Sequence, residues 1–495
     1  MTDYNVAAQI PRYVYKKRDT LFAWVIALMF VAFYDLILCS TLGLASTVFM
    51  AALYSATAVY IKLGGKTLKS GRLFLALGLI LALSFVFTDN IYTKTVVFMF
   101  DCLLYLIWLL YACGNNAENR LDMLWYDGIK AMFVMPFASL GRLFGAIFKC
   151  EKSKNRGIRL LMIIGGVLIA VVPTMIVVIL LSGADSVFRS VLRTMDIRHF
   201  VMFEVMPRGF VCLCFAPPVF GAIYANAVGL HKNVLSKEKN EETRRNMAKL
   251  PSTLVYAAAT PMLAVYTLFF VLQFRYFTSA FASVLPEGVD KYADYARDGF
   301  FELCAVAVIN AAVILFVSAF TKTENGKKAL GARVYCGIYA VASIAFSCIG
   351  LSKMALYIEK FGLTRLRFNT ALFMAALCVL FILAVIRQIN VKMCFMKYGC
   401  ATICLFAVAF AFCRSDRIIA DYNVNGYLDG RLAEVDVDML KGLSYDSYPS
   451  LERLAANAGD IEVRHVAQEA LEYMQSMNAG GRVIDFNFSR GIINQ

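Results

Sequence analysis

Eleven apolar runs, most of them close to 20 residues long, fill the greater part of residues 21–413. About 20 consecutive apolar residues is what an α-helix needs to cross the hydrocarbon core of a bilayer. Backbone amides and carbonyls meet no water there, so such a chain folds as helices that close their hydrogen bonds within each segment. The runs fall at 21–42, 44–61, 73–88, 95–113, 158–182, 203–227, 252–276, 299–320, 333–356, 368–387 and 397–413. Only 17% of the 495 residues are charged and the mean hydropathy is +0.64, where soluble proteins carry about 25% charged residues. The expected fold is an all-α polytopic transmembrane bundle of about 11 spans. Leu21–Leu42 is too long for a signal-peptide core and a second run follows at once, so it reads as a signal anchor and first span.

Lysine and arginine orient this bundle. With residues 1–20 placed in the cytoplasm, the segments on that side hold 29 Lys and Arg and the opposite loops hold 10. That bias follows the positive-inside rule. It accounts for the net charge of +14 without any nucleic-acid partner. The expected partner is the lipid bilayer, together with another membrane or envelope protein, and the expected location is the bacterial plasma membrane. Four basic residues between Lys353 and Arg367 fall on the outer side and are the weak point of this topology. The charged loop 231–250 is cytoplasmic. Region 118–157 is interrupted by Asp127, Lys130, Pro136 and Arg142, and reads as amphipathic helices lying on the cytoplasmic surface. Its Gly141/Gly145 pair is read as a chance spacing.

Residues 414–495 are different material. They hold 8 Lys and Arg against 13 Asp and Glu, and no cysteine. Helical periodicity runs through 429–442, 448–458 and 461–477, with Ser450 and Asp460 as expected caps and Pro449 at a helix start. Leu440, Leu443, Leu451, Leu454, Val463, Val466, Ala470, Leu471 and Met474 form the expected core. This is a small helical soluble C-terminal domain, too small to be robust alone. With eleven spans it lies outside the cytoplasm.

No phosphate-binding loop, dinucleotide fingerprint, nucleophile elbow or zinc-protease motif occurs. The three histidines, at 199, 231 and 465, are far apart. Of the fourteen cysteines, the close pairs Cys212/Cys214 and Cys400/Cys404 sit in apolar helices, where cysteine packs as a small hydrophobe. No metal, cofactor or catalytic residue is expected.

Four blocks carry a family resemblance: LLSGADSVF at 180–188, YADYARDGFFEL at 292–303, LYIEKFGLTRLRF at 356–368 and VDVDMLKGLSYDSYPSLERL at 435–454. They resemble a family of polytopic bacterial membrane proteins catalogued as domain of unknown function 4173, a relative of the domain of unknown function 4153 group. Ser186, Phe361 and Met439 depart from that pattern. The resemblance implies a fold and a membrane location, not a reaction. Laid on the topology, all four blocks fall at the outer face. Asp185, Arg275, Tyr292, Tyr295, Arg297, Asp298, Glu302, Glu359, Thr364, Arg365 and Arg367 are therefore expected to gather under the tail as one ion-paired cluster. The alternatives are salt bridges that lock helices to the tail, or solvated headgroup contacts.

Ionisable residues at membrane depth are costly. Asp35 and Asp101 lie inside the first and fourth spans without a cation on their own helices. Glu204 and Arg208 are one turn apart in the sixth, spaced for a local ion pair. That span also carries Pro207, Pro217 and Pro218, which predict a break. Three functions follow. The first is a non-enzymatic envelope scaffold or signalling component with an extracytoplasmic tail. The second is a transporter using Asp35, Asp101 and the broken span. The third is a membrane-embedded enzyme acting on a lipid-linked or anionic substrate at the outer leaflet.

Overall fold

The computed structural model describes residues 15–66, 68, 70–118, 121–148, six residues between 177 and 185, 205–281, 300–324, 327–478 and 483–493. The described residues are helical almost throughout. Nine of the described helices are long and apolar enough to cross a membrane. They are α1 (Lys17–Phe33, extended by a π-helical turn Tyr34–Leu38), α2 (Leu44–Leu63), α4 (Ile91–Ala112), α7 (Met206–Val228), α9 (Ser252–Phe281), α10 (Phe300–Phe320), α11 (Leu330–Phe361), α12 (Arg365–Ile389) and α13 (Phe395–Phe412). The charged helix α8 (Lys237–Met247) lies between α7 and α9, and a further apolar helix, α3 (Arg72–Phe87), has 16 residues. At 1.5 Å per residue it is about 24 Å long, yet it runs the length of its neighbours. Ser70 at its start donates to Tyr111 O at 2.6 Å, and Thr88 at its end reaches the tail. The span expected at 158–182 lies almost entirely outside the described residues.

Region 121–148 differs from the surface helices expected. It forms α5 (Leu121–Phe137) and α6 (Arg142–Phe148), bent by 42° at the break, and both pack into the bundle. Met135 and Ala146 are fully buried, and Thr20 donates to Ala146 O at 2.8 Å. Two of its charges, Asp127 and Lys130, are satisfied internally. Asp127 accepts from Tyr111 and from the Ala117 amide, both at 2.8 Å. Lys130, in a π-helical turn, donates to Asn115 O and Lys232 O. Polar residues that suggested an interface are thus used as internal crosslinks. Gly145 of the expected chance GxxxG lies against the Tyr15 ring.

The predicted break in the sixth span is absent. α7 runs unbroken through Pro217 and Pro218. The prolines remove the amides that would serve the carbonyls of Leu213 and Cys214, but the surrounding packing holds the helix straight through. Ala216 and Phe220 are fully buried against α1 and α5.

The four basic residues at 353–367 surround the turn between two long apolar helices. α11 carries Lys353 and Lys360 on to Phe361, and a tight turn leads into α12, where Thr364 caps by accepting from the Arg367 amide. The two ends of the described chain lie at opposite ends of the bundle. Arg18 donates to Leu63 O at one end, whereas the tail touches Thr41, Thr88 and Asn90 at the other.

Two helical groups result. The first (α1–α7) shares one large core with part of α13. In the second, α9, α10 and α12 pack around α11 through several small cores.

The tail contains α14 (Ser415–Leu428), α15 (Val437–Lys441), α16 (Tyr448–Asn457), α17 (Ile461–Asn478) and α18 (Phe488–Ile493). α14 was not foreseen, and the helix expected over 429–442 shrinks to α15, because residues 431–436 are extended or bent. Ser450 is inside α16 and bonds Asp421 rather than capping, while Asp460 accepts from the Glu462 amide at 2.8 Å. Leu440, Leu451, Leu454, Ala470 and Met474 are buried together with Ile419, Ala420 and Val424 of α14. Leu363, from the α11–α12 turn, joins this core, so the tail and the bundle share apolar packing.

Candidate functional site

Two buried carboxylates organise the junction between tail and bundle. Asp416, in the first turn of α14, and Asp446, between α15 and α16, have no solvent exposure. Each satisfies its oxygens with several donors, as a buried charge must. Asp416 accepts two bonds from Arg365, at 2.8 and 2.6 Å, one from Asn90 at 2.8 Å and one from the Ser444 amide at 2.9 Å. Asp446 accepts from Arg414 at 2.9 and 2.7 Å, from Thr88 at 2.9 Å, from the Asp89 amide at 3.1 Å, and from Ser489. The Arg365–Asp416 pair is bidentate and fixes orientation as well as charge, whereas Arg414 places both nitrogens on Oδ1 of Asp446 and leaves Oδ2 to Thr88 and the Asp89 amide.

The loops between spans complete the junction. Asn90 caps α4 by accepting from the Tyr92 and Thr93 amides, and its amide group turns outward to Asp416. Lys94, fully buried in the first turn of α4, donates to Thr41 O at 2.9 Å and lies 3.5 Å from Asp89. Asp89 also pairs with Arg490 at 3.2 Å and accepts from Asn487. Thr41 binds Asp485 through its amide at 2.8 Å, and the Leu44 amide donates to Phe486 O at 3.0 Å. A Cβ on Gly43 would stand 2.7 Å from the Asp485 carbonyl, so glycine alone lets this loop approach.

Of the cluster expected under the tail, Arg365 enters this network. Thr364 caps α12. Arg367 lies 4.1 Å from the Tyr357 ring centroid and donates to Phe361 O, so it serves the α11–α12 turn. Glu302, Glu359 and Asp185 are exposed. Arg275 falls in α9, its side chain outside the description. Tyr292, Tyr295, Arg297 and Asp298 lie outside the described residues, as does Glu204.

The residues that sequence reasoning missed are Asp89, Asn90, Lys94, Arg414, Asp416, Asp446 and Arg490. Asp446 stands in the quoted block LSYDSYP, and Asn90 before an apolar run is a recognisable N-cap. Arg414 and Asp416 follow the last span directly. Their pairing partners are distant in sequence, which hid the network.

Inside the bundle, Asp35 pairs across helices with Arg208 through two bonds of 2.7 Å. Asp101 is fully buried, accepts from Tyr54 at 2.9 Å, and leaves Oδ2 without a partner among the described residues. No group of three or more His, Cys, Asp or Glu among the described residues is placed to hold a metal. A cleft of about 500 Å³ opens at the tail junction beside Arg365, Lys441 and Arg490. A larger one of about 1170 Å³, at the opposite end, lies between α10, α12 and the start of α13.

Comparison with known proteins matches residues 73–454 to a single family. No curated protein and no solved structure matches the chain. The match covers more than three quarters of the sequence and includes all four quoted blocks entire, from α3 to the middle of α16. This multi-pass membrane protein therefore belongs to the family described as Domain of unknown function (DUF4153).

Proposed function

We propose that this chain is a non-enzymatic component of the bacterial plasma membrane, an envelope scaffold or signalling partner whose tail is held against the outer end of the bundle. The observation that carries this reading is the junction itself. Asp416 and Asp446 are fully buried and fully satisfied by arginine, hydroxyl and amide donors. Carboxylates used in this way hold parts together and are not available as acid or base. The basic bias supports a cytoplasmic N-terminus, and the opposite placement of the chain ends then supports an extracytoplasmic tail. Within the wider family, the four blocks support a place near domain of unknown function 4173.

The experiment pairs alkaline phosphatase and fluorescent-protein fusions after Gln495 with photo-crosslinkers at exposed tail positions such as Ile461 and Val483. An active phosphatase, and one discrete crosslinked protein that disappears in Asp446→Asn, are expected. A fluorescent cytoplasmic fusion overturns the outer placement.

One observation favours transport as a second reading: Asp101 is buried with a carboxylate oxygen unpartnered. Solute flux driven by a proton gradient in proteoliposomes, and lost in Asp101→Asn, would replace the first reading with this one.

A further inference from the structure

The cleft at the tail junction is bounded by the first turns of α4 and α12 and by α15 and α17, and its volume of about 500 Å³ suits a small ligand or a headgroup. Its walls carry three cations, Arg365, Lys441 and Arg490, against one carboxylate, Asp89. Each cation lies over a tyrosine ring. Arg365 is 5.4 Å from the centroid of Tyr92, Lys441 is 4.7 Å from that of Tyr473, and Arg490 is 5.0 Å from that of Tyr445.

These cations are only partly consumed. Arg365 spends Nε and Nη2 on Asp416, and Arg490 spends Nε on Asp89. The remaining guanidinium nitrogens, and Lys441 Nζ, meet no carboxylate among the described residues. Carboxylates behind and rings beneath hold these donors in place before anything binds. Fixed planar donors backed by a point charge suit phosphate oxygens.

Location supplies the second argument. Ile91 and Tyr92 begin a membrane-spanning helix, and Arg365 begins another, so the cleft opens at the depth where spans enter the headgroup layer. Its rim is apolar and amphipathic: Tyr92, Tyr473 and Met477 are 66%, 50% and 61% exposed. Tyrosine at that depth is an interfacial anchor. A free anion needs no such rim, whereas the glycerol and upper acyl carbons of a lipid do.

We infer that this cleft binds the phosphate of an anionic phospholipid headgroup from the leaflet on the tail side. The inference rests on the clamped-tail reading, since α15 and α17 form a wall only while the tail is docked.

The test uses the full chain in phosphatidylcholine nanodiscs with a titrated share of phosphatidylglycerol, read by hydrogen exchange of residues 441–445 and 473–477. Saturable protection by phosphatidylglycerol is expected. Lys441→Glu should raise the half-saturating share about tenfold, the loss of one charge-assisted contact, while Lys441→Arg retains it. Exchange at Asp416 and Asp446 reports the clamp in the same sample. Equal protection by glycerol 3-phosphate in solution would keep the phosphate site and assign it to a soluble ester. A protected clamp with no saturable response to either compound overturns the inference alone. A clamp already open in the wild type without phosphatidylglycerol overturns the docked tail itself.

Discussion

The two helical groups solve the same problem of burial in lipid in different ways. In α1, α2, α4 and α7, 44–61% of each spanning stretch is buried within the protein. In α9, α10 and α12 the share is 17–22%, and only α11, their hub, reaches 50%; α13, which touches both groups, is 17% buried. The first group is knitted by buried polar pairs, including Tyr60 to Asp19, Thr57 with Tyr105, and Tyr54 to Asp101. In the second, Tyr266 donates to Asn310, Asn310 to Ser343 and Ser343 to Tyr339 O, while Tyr339 donates to Ala259 O at 2.7 Å and Arg333 to Gln388 O at 3.2 Å. Lipid tails are as apolar as leucine, so hydrophobicity does not hold spanning helices together; close packing and polar contacts do. Among the described residues, the first group therefore buries more of each span within the protein than the second does.

The tail joins the two. Asp416 binds Asn90 at the start of α4, in the first group, and Arg365 at the start of α12, in the second. Asp416→Ala should thus have the largest effect. Breaking a buried pair costs about 3–5 kcal/mol, toward the lower end here because the Arg365 side chain is 28% exposed. Thermal unfolding in detergent should split from one transition into two, whereas retention of one transition would show that α7–α9 and α13 suffice to couple the groups.

Next comes Gly78→Ala. A Cβ there would lie well inside contact distance of the Tyr54 hydroxyl and 2.9 Å from Asp101, and overpacking costs about 1–3 kcal/mol. The loss should fall on the first group, seen as faster thiol labelling of Cys102. A smaller effect is expected for Asn310→Ala. Polar contacts in membranes average about 0.6 kcal/mol, so labelling of Cys336 in the second group should rise by a few-fold while Cys102 is unchanged. Equal responses at both cysteines would erase the distinction between the groups.

The smallest effect concerns pH. Burial, then Arg142 and Lys130, hold His231 below the usual histidine range. Its folded value is depressed, so its contribution is present above the unfolded value near 6.5 and fades as pH falls. Exchange of the 229–235 turn should quicken slightly below about pH 6, and His231→Gln should flatten that response.

Much of the architecture was legible in the sequence. Each of the nine long helices overlaps an apolar run, because a spanning helix must be apolar over a fixed length whatever it packs against. Legibility was lower where local pattern and tertiary use diverge. Asp127, Lys130 and Pro136 made region 121–148 look like a surface helix, but their polar atoms are spent on Tyr111, Asn115 and the 232 carbonyl. Pro217 and Pro218 predicted a break that packing against α1 and α5 prevents. The short α14 escaped notice because its helix has polar and apolar residues set by contact with α16, not by a lipid face.

By itself, the sequence determined the class, the spans, their bias in charge and the presence of an acidic helical tail, since these depend on the cost of moving each segment between water and lipid. Only the tertiary structure decided that Arg208 pairs with Asp35, and that Arg365 and Arg414 meet Asp416 and Asp446. Pairing depends on which segments the fold brings together, and residues 32 to 173 positions apart leave no mark of that meeting in local composition.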